Sequence, residues 1–79
     1  MQRVEFTIEP FVEGRPGPHV SAPAAAAEAM GVAVEVGPFG SSCVVDDARV
    51  GEVVGAITQA AVANGATHVH VDIGREDAP

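Results

Sequence analysis

An α+β domain whose elements run β-α-β-β-α-β is predicted by three observations. Val32 to Val45 (VAVEVGPFGSSCVV) sets two β-branched runs around a Gly-Pro-Phe-Gly turn, the pattern of an antiparallel hairpin. A strand-like segment and an alanine-rich segment precede it. A helical apolar stripe and a second alternating strand follow it. That order is the ferredoxin-like arrangement, with a four-stranded antiparallel sheet and two helices on one face.

Each element has its own residue-level reason. Val4, Phe6 and Ile8 alternate with Glu5, Thr7 and Glu9, which is the period of a half-buried strand ending near Pro10. Phe11 to His19 carries Gly14, Pro16, Gly17 and Pro18 and reads as a loop. Ala24 to Met30 favours helix by propensity. Ser21 as N-cap would place Pro23 in the first turn, where its missing N–H is tolerated; a start near Pro18 would leave Pro23 in the interior. Gly31 suits the left-handed stop after that helix. For the second helix, Asp46 or Asp47 is the predicted cap. Val50, Val53, Val54, Ile57 and Ala61 form one apolar stripe, and Asn64-Gly65 ends it. Gly51 and Gly55 lie inside this helix, at a cost of about 1 kcal/mol each relative to Ala, and close helix approach would justify them. In Thr67 to Ile73, Val69, Val71 and Ile73 face one way, and His68, His70 and Asp72 the other. Gly74 to Pro79 reads as a frayed tail.

Seventy-nine residues make one domain, residues 1–79. The core is thin in bulky side chains, with no Trp, no Tyr and three Phe. Domains this small commonly gain stability from disulfides, metals or oligomerisation. Cys43 is alone, so no disulfide forms within the chain, and a lone thiol fits a reducing compartment. No CxxC or HExxH pattern marks a metal site. Oligomerisation is the remaining aid.

The net charge is −7, with four arginines and no lysine. Nucleic-acid binding needs a basic footprint that this chain lacks, and an anionic membrane would repel it. No apolar run approaches the length of a membrane span, and the N-terminus has no basic-then-apolar signal pattern. The expected location is cytoplasmic.

The sheet face away from the helices should carry Glu5, Thr7, Glu9, Glu35, His68, His70 and Asp72. Its bland reading is an ordinary solvated face. Its functional reading is attraction of a cation: a charge pair a few ångströms apart is worth about 4 kcal/mol at an effective dielectric of about 20, before desolvation. His68-x-His70-x-Asp72 offers three metal-type ligands, but their roots lie ~6.5 to 7 Å apart along the strand, so cross-strand His–Glu pairing is favoured and no metal is assigned. Ser41 and Ser42 can bind a ligand or satisfy the turn backbone. Phe11 and Phe39, in loops, are the candidates for stacking on an aromatic ligand. Cys43 reads as a buried apolar residue rather than a nucleophile. No GxSxG nucleophile motif is present.

The hairpin Gly37-Pro38-Phe39-Gly40-Ser41, the strand Val4 to Pro10 and the strand entry Gly65-Ala66-Thr67-His68-Val69 together resemble the thiamine-binding protein family, small ferredoxin-like proteins. The resemblance spans Val4 to Ile73. It departs at Val44-Val45, where many members carry Glu-Gly, and at Ser41, where Thr is usual. The resemblance implies a non-catalytic binder of thiamine or a related pyrimidine, with no cofactor, assembled as a homodimer or homotetramer. The ligand-binding residues expected from pattern and resemblance are Glu5, Thr7, Glu9, Phe11, Glu35, Phe39, Ser41 and His70. Two further classes stay open: a structural or regulatory oligomer whose open sheet face is a protein interface, and a small enzyme using His70 with a carboxylate as acid–base pair.

Overall fold

A computed structural model of the chain describes residues 1–12, 14, 17–37 and 40–76. Strand β1 (Gln2–Glu9) leads to helix α1 (Pro18–Ala29), the hairpin strands β2 (Val34–Gly37) and β3 (Gly40–Val45), helix α2 (Val50–Ala63) and strand β4 (His68–Arg75). A 3-10 turn, Asp47–Arg49, runs into α2. The four strands form one antiparallel sheet in the order β2-β3-β1-β4. This is the predicted ferredoxin-like α+β fold.

Alternation in β1 decides which side of the sheet is dry. Val4, Phe6 and Ile8 are buried. Their register partners Cys43 and Ser41 on β3, and Ile73, Val71 and Val69 on β4, share that face. The helices cover it: Ala27 of α1 and Val53, Ile57 and Ala61 of α2 join Val4, Phe6, Ile8, Cys43 and Val45 in one core. The α2 stripe is the predicted one, with Val53, Ile57 and Ala61 fully buried and Val50 and Val54 packed at its margin. Cys43 is buried as expected, and burial pushes its thiol pKa up, away from the reactive thiolate.

Both helices end in the same device. After α1, the Gly31 N–H donates to Glu28 O and the Val32 N–H to Ala27 O; after α2, the Gly65 N–H donates to Val62 O and the Ala66 N–H to Ala61 O. These are paired Schellman bonds, which need a left-handed residue, and Gly31 and Gly65 have φ of 82° and 95°. Val32 and Ala66 then turn back onto the core.

Three local expectations are corrected. Helix α1 starts at Pro18 and not at Ser21, so Pro23 lies inside it. Pro18 suits the first turn, the Val20 and Ser21 N–H groups bond to Gly17 O, and buried His19 donates from Nε2 to Pro10 O at 2.6 Å. These contacts fix the early start, and Pro23 sits buried on the core side one turn after His19. Second, neither Asp46 nor Asp47 caps a helix through its side chain. Asp47 instead pairs with the Met1 amino group at 3.0 Å and accepts from Gln2 Nε2 at 3.2 Å. Third, β4 runs through Gly74 and Arg75 into the segment expected to fray, because Arg3 and Gln2 on β1 supply their ladder partners. The tail residues 77–79 lie outside the described residues.

Gly51 and Gly55 have no close neighbour. A Cβ built on either meets nothing within 4 Å, so helix approach does not explain them. G51A and G55A are expected each to raise stability by about 0.5–1 kcal/mol, since Ala orders a helix at lower entropic cost. That corresponds to a Tm increase of roughly 2–8 °C in a domain of this size. Thermal unfolding of each variant checks it; a lowered Tm would show that something packs against this face of α2.

Candidate functional site

The sheet face opposite the helices is built by the other half of each strand's alternation. Register aligns Glu35 of β2 with Ser42 of β3, Ser42 with Glu5 of β1, and Glu5 with Asp72 of β4. One cross-strand row therefore reads Glu35, Ser42, Glu5, Asp72, with three carboxylates on one line. The next row toward the hairpin turn holds Gly37 opposite Gly40, and Thr7 opposite His70.

The two glycines leave a depression. A Cβ on Gly40 would lie 3.1 Å from Thr7 Oγ1 and 3.3 Å from Phe6 O, and one on Gly37 would lie 3.1 Å from Gly40 O. Side chains there would fill the space that Thr7 now faces. The concavity holds about 300 Å³ and is bordered by Arg3, Glu5, Thr7, Gly37, Gly40 and Ser42, with Phe6 and Ser41 beneath it. It is open to solvent on one side.

Arg3 sets the polar rim. Its Nη2 donates to Ser42 Oγ at 3.4 Å, its Nε lies 3.4 Å from Glu5 Oε1, and its Nη1 lies 3.5 Å from Glu76 Oε2. One guanidinium thus faces two carboxylates. Glu35 and Asp72 extend the same row, so the balance of charge around the depression is negative. A bound cation is favoured there over an anion.

A second cluster starts in the Thr7 row, where His70 reaches diagonally to Glu9 in the next row. His70 Nε2 donates to Glu9 Oε2 at 2.6 Å, and Glu9 is the register partner of His68. The His68 and His70 rings stand nearly parallel, with centroids 6.3 Å apart. Cross-strand His–Glu pairing, the favoured outcome for this strand, is what forms. The hydrogen bond from His70, with the nearby His68 and His70 charges, holds the Glu9 carboxyl below the ordinary glutamate range. As the side chains stand, no group of three His, Cys, Asp or Glu among the described residues converges on a metal position.

The expected site residues are therefore distributed unevenly. Glu5 and Thr7 border the depression, and Glu35 stands beside it in the Ser42 row. Glu9 and His70 pair with each other beside it, His70 opposite Thr7 and Glu9 one row further. Ser41 lines the depression from beneath, buried opposite Phe6 on the helix side, and Ser42 is the hydroxyl on the open face. Phe11 is 66% exposed after β1 and does not border the depression. Phe39 lies outside the described residues. Sequence reading passed over Arg3, Gly37 and Gly40. The signal for the glycines was there, since Gly37 and Gly40 flank the turn at positions where a strand face would otherwise carry side chains.

No protein-family model matches this chain, and no curated protein matches it. Solved structures do. The chain is similar to a domain of unknown function, DUF77, from Bacillus cereus, with a TM-score of 0.65 and 23% identity over 92% of this chain and 71% of that one. It is also similar to protein SP2199 from Streptococcus pneumoniae, with a TM-score of 0.74 and 14% identity over 96% of this chain and 87% of that one. At these identities the likeness establishes the fold. Among the described residues no helix is long and apolar enough to cross a membrane.

The Glu9–His70 pair carries a pH expectation. A carboxyl whose folded pKa is depressed contributes stability above its unfolded pKa and loses it as pH falls through the folded value. Glu9 is solvent-exposed, so the contribution is small. In an NMR titration the Glu9 carboxyl should titrate below the ordinary glutamate range, and H70A should return it to that range. An unchanged Glu9 titration in H70A would show that the hydrogen bond is not its cause.

Proposed function

We propose that this chain is a non-catalytic, cytoplasmic small-molecule-binding module that takes thiamine or a related cationic pyrimidine on its open sheet face and works as a homo-oligomer. The observation that carries the reading is the glycine-floored depression beside the row of Glu35, Glu5 and Asp72. A flat heteroaromatic ring can lie on the bare backbone of Gly37 and Gly40, where no Cβ intervenes. Thr7 and Ser42 offer hydroxyls at its edge, and the carboxylates face a positive ring such as a thiazolium. The hairpin and last-strand resemblance to the thiamine-binding family supports the same ligand class.

Binding is preferred to catalysis because the acid–base pair that the described residues form on this face, His70 with Glu9, stands outside the residues that border the depression. Assembly is supported by the thin core and by the apolar side chains left exposed on the two edge strands, Val36 at 64% and Ile73 at 44%. Face-to-face stacking of two such acidic faces would set carboxylates against carboxylates, so the edges are the preferred contact and the face stays free for ligand.

Calorimetric titration with thiamine tests this reading. Saturable binding is expected, weakening as salt rises because the attraction is between exposed charges. E5Q should weaken it several-fold. G40A should weaken it by roughly ten-fold or more, because its Cβ enters the space the ring needs while the fold stays intact by circular dichroism. No heat and no thermal shift at millimolar thiamine would remove the reading.

A further inference from the structure

Two histidines and a carboxylate meet where β1 ends and β4 begins, outside the glycine-floored depression. Glu9 is the register partner of His68, and Thr7 that of His70. The three side chains therefore start from neighbouring positions on one sheet face, His68 directly across from Glu9 and His70 diagonal to it. Their contacts already draw them together. His70 Nε2 donates to Glu9 Oε2 at 2.6 Å, and the His68 and His70 rings stand 13° from parallel with centroids 6.3 Å apart.

The backbone beneath these side chains is tied down. The Thr67 N–H donates to Glu9 O at 2.8 Å, and His19 Nε2 donates to Pro10 O at 2.6 Å, so the end of β1 is fixed both to the entry of β4 and to α1. His68 Nδ1 lies 3.3 Å from Thr67 Oγ1. With the ring proton on Nδ1 in that contact, the His68 lone pair sits on Nε2. One ring nitrogen engaged by an oxygen and the other left free is how ligating histidines are oriented.

We propose that Glu9, His68 and His70 form a binding site for one divalent metal ion of the zinc type. Imidazole nitrogen and carboxylate oxygen are the donors such ions take, whereas calcium and magnesium prefer oxygen alone. As the side chains stand they are not at metal distances, but the movement required is small. Tetrahedral zinc, with bonds of about 2.0–2.2 Å, sets its donor atoms about 3.3 Å apart and the centroids of two ligating imidazoles about 5 Å apart. His70 and Glu9 would open by about 0.7 Å from 2.6 Å, and the rings would close by about 1 Å from 6.3 Å. His68 is exposed, and the His70 and Glu9 side chains are 61% and 46% exposed, so rotation about side-chain bonds achieves both. The ion takes the position of the His70 Nε2 proton, and His70 coordinates as its Nδ1–H tautomer. Asp72 lies two residues beyond His70 on the same face with Glu5 opposite it, so the surrounding field favours a cation. Three protein donors leave the fourth position to water. The site does not rest on the thiamine reading, because none of its three residues borders the depression.

Calorimetric titration of the full chain with zinc, after removal of trace metals by a chelating resin and without thiamine, tests the proposal. Cobalt(II) serves as the spectroscopic probe. One zinc ion per chain is expected at micromolar affinity, and bound cobalt should show the strong visible absorption of a tetrahedral site. H68A, H70A and E9Q should each weaken zinc binding by roughly ten-fold or more, since loss of even an outer-shell partner costs about 10–100-fold. Circular dichroism should stay unchanged, because all three positions reach solvent. D72N, outside the three donors, should weaken binding less than E9Q does. The ring nitrogen shifts of His68 and His70 should move on zinc addition while those of His19 stay still. Binding only at millimolar zinc, a weakly absorbing octahedral cobalt spectrum, affinity retained in H68A and H70A, or a loss in D72N equal to that in E9Q would overturn it. G40A, on which the thiamine reading depends, should leave zinc affinity unchanged, so failure of either proposal is separable from failure of the other.

Discussion

The one-sided burial of β1 is the constraint on which the rest of the structure depends. β1 is paired along both edges, by β3 and by β4, so a single alternation propagates across the sheet. Val4, Phe6 and Ile8 commit one face to the helices. A one-residue slip would exchange the faces and place Glu5, Thr7 and Glu9 against α1 and α2. The acidic row on the open side is the other half of the same pattern. Core and candidate site are thus two consequences of one register.

The depression follows from what the sequence omits. At the end of the hairpin, two strands meet with Gly opposite Gly, so the face loses its side chains beside Thr7. A four-stranded sheet with one bare face offers little concavity of its own. Here the missing side chains create it, and the flanking carboxylates set its charge. Helix geometry contributes only from behind, through the Schellman stops at Gly31 and Gly65 that return the chain to β2 and β4 at the right height.

Much of the fold was legible because its signals are local and periodic. The alternations in Val4–Ile8 and Val69–Ile73, the α2 stripe and the Gly stops each declare themselves within a few residues. Two features were not legible, for different reasons. The start of α1 depends on His19 reaching back to Pro10 O across a loop, a contact that helix propensity does not contain. The roles of Asp46 and Asp47 depend on the position of the chain's first residues, which occupy Asp47 as an ion-pair partner. The side of Ser41 was in fact readable, since Cys43 was expected to be buried and a strand with period two places Ser41 with it. Adjacency across strands was only partly readable. The pairing of Glu9 with His70 follows from the fold once the strand order is assumed, whereas the Arg3 rim and the glycine floor need the register itself.

The central claim is that the uncovered sheet face, at its glycine floor, is where this protein meets a ligand. Backbone amide chemical shifts of the labelled chain, recorded while thiamine is added, test it most directly. The account predicts that the amides of Glu5, Thr7, Gly37, Gly40 and Ser42 move together and saturate, while those on the outer faces of α1 and α2 stay still. Saturable shifts confined to the helices, or none at all at millimolar ligand, would contradict it.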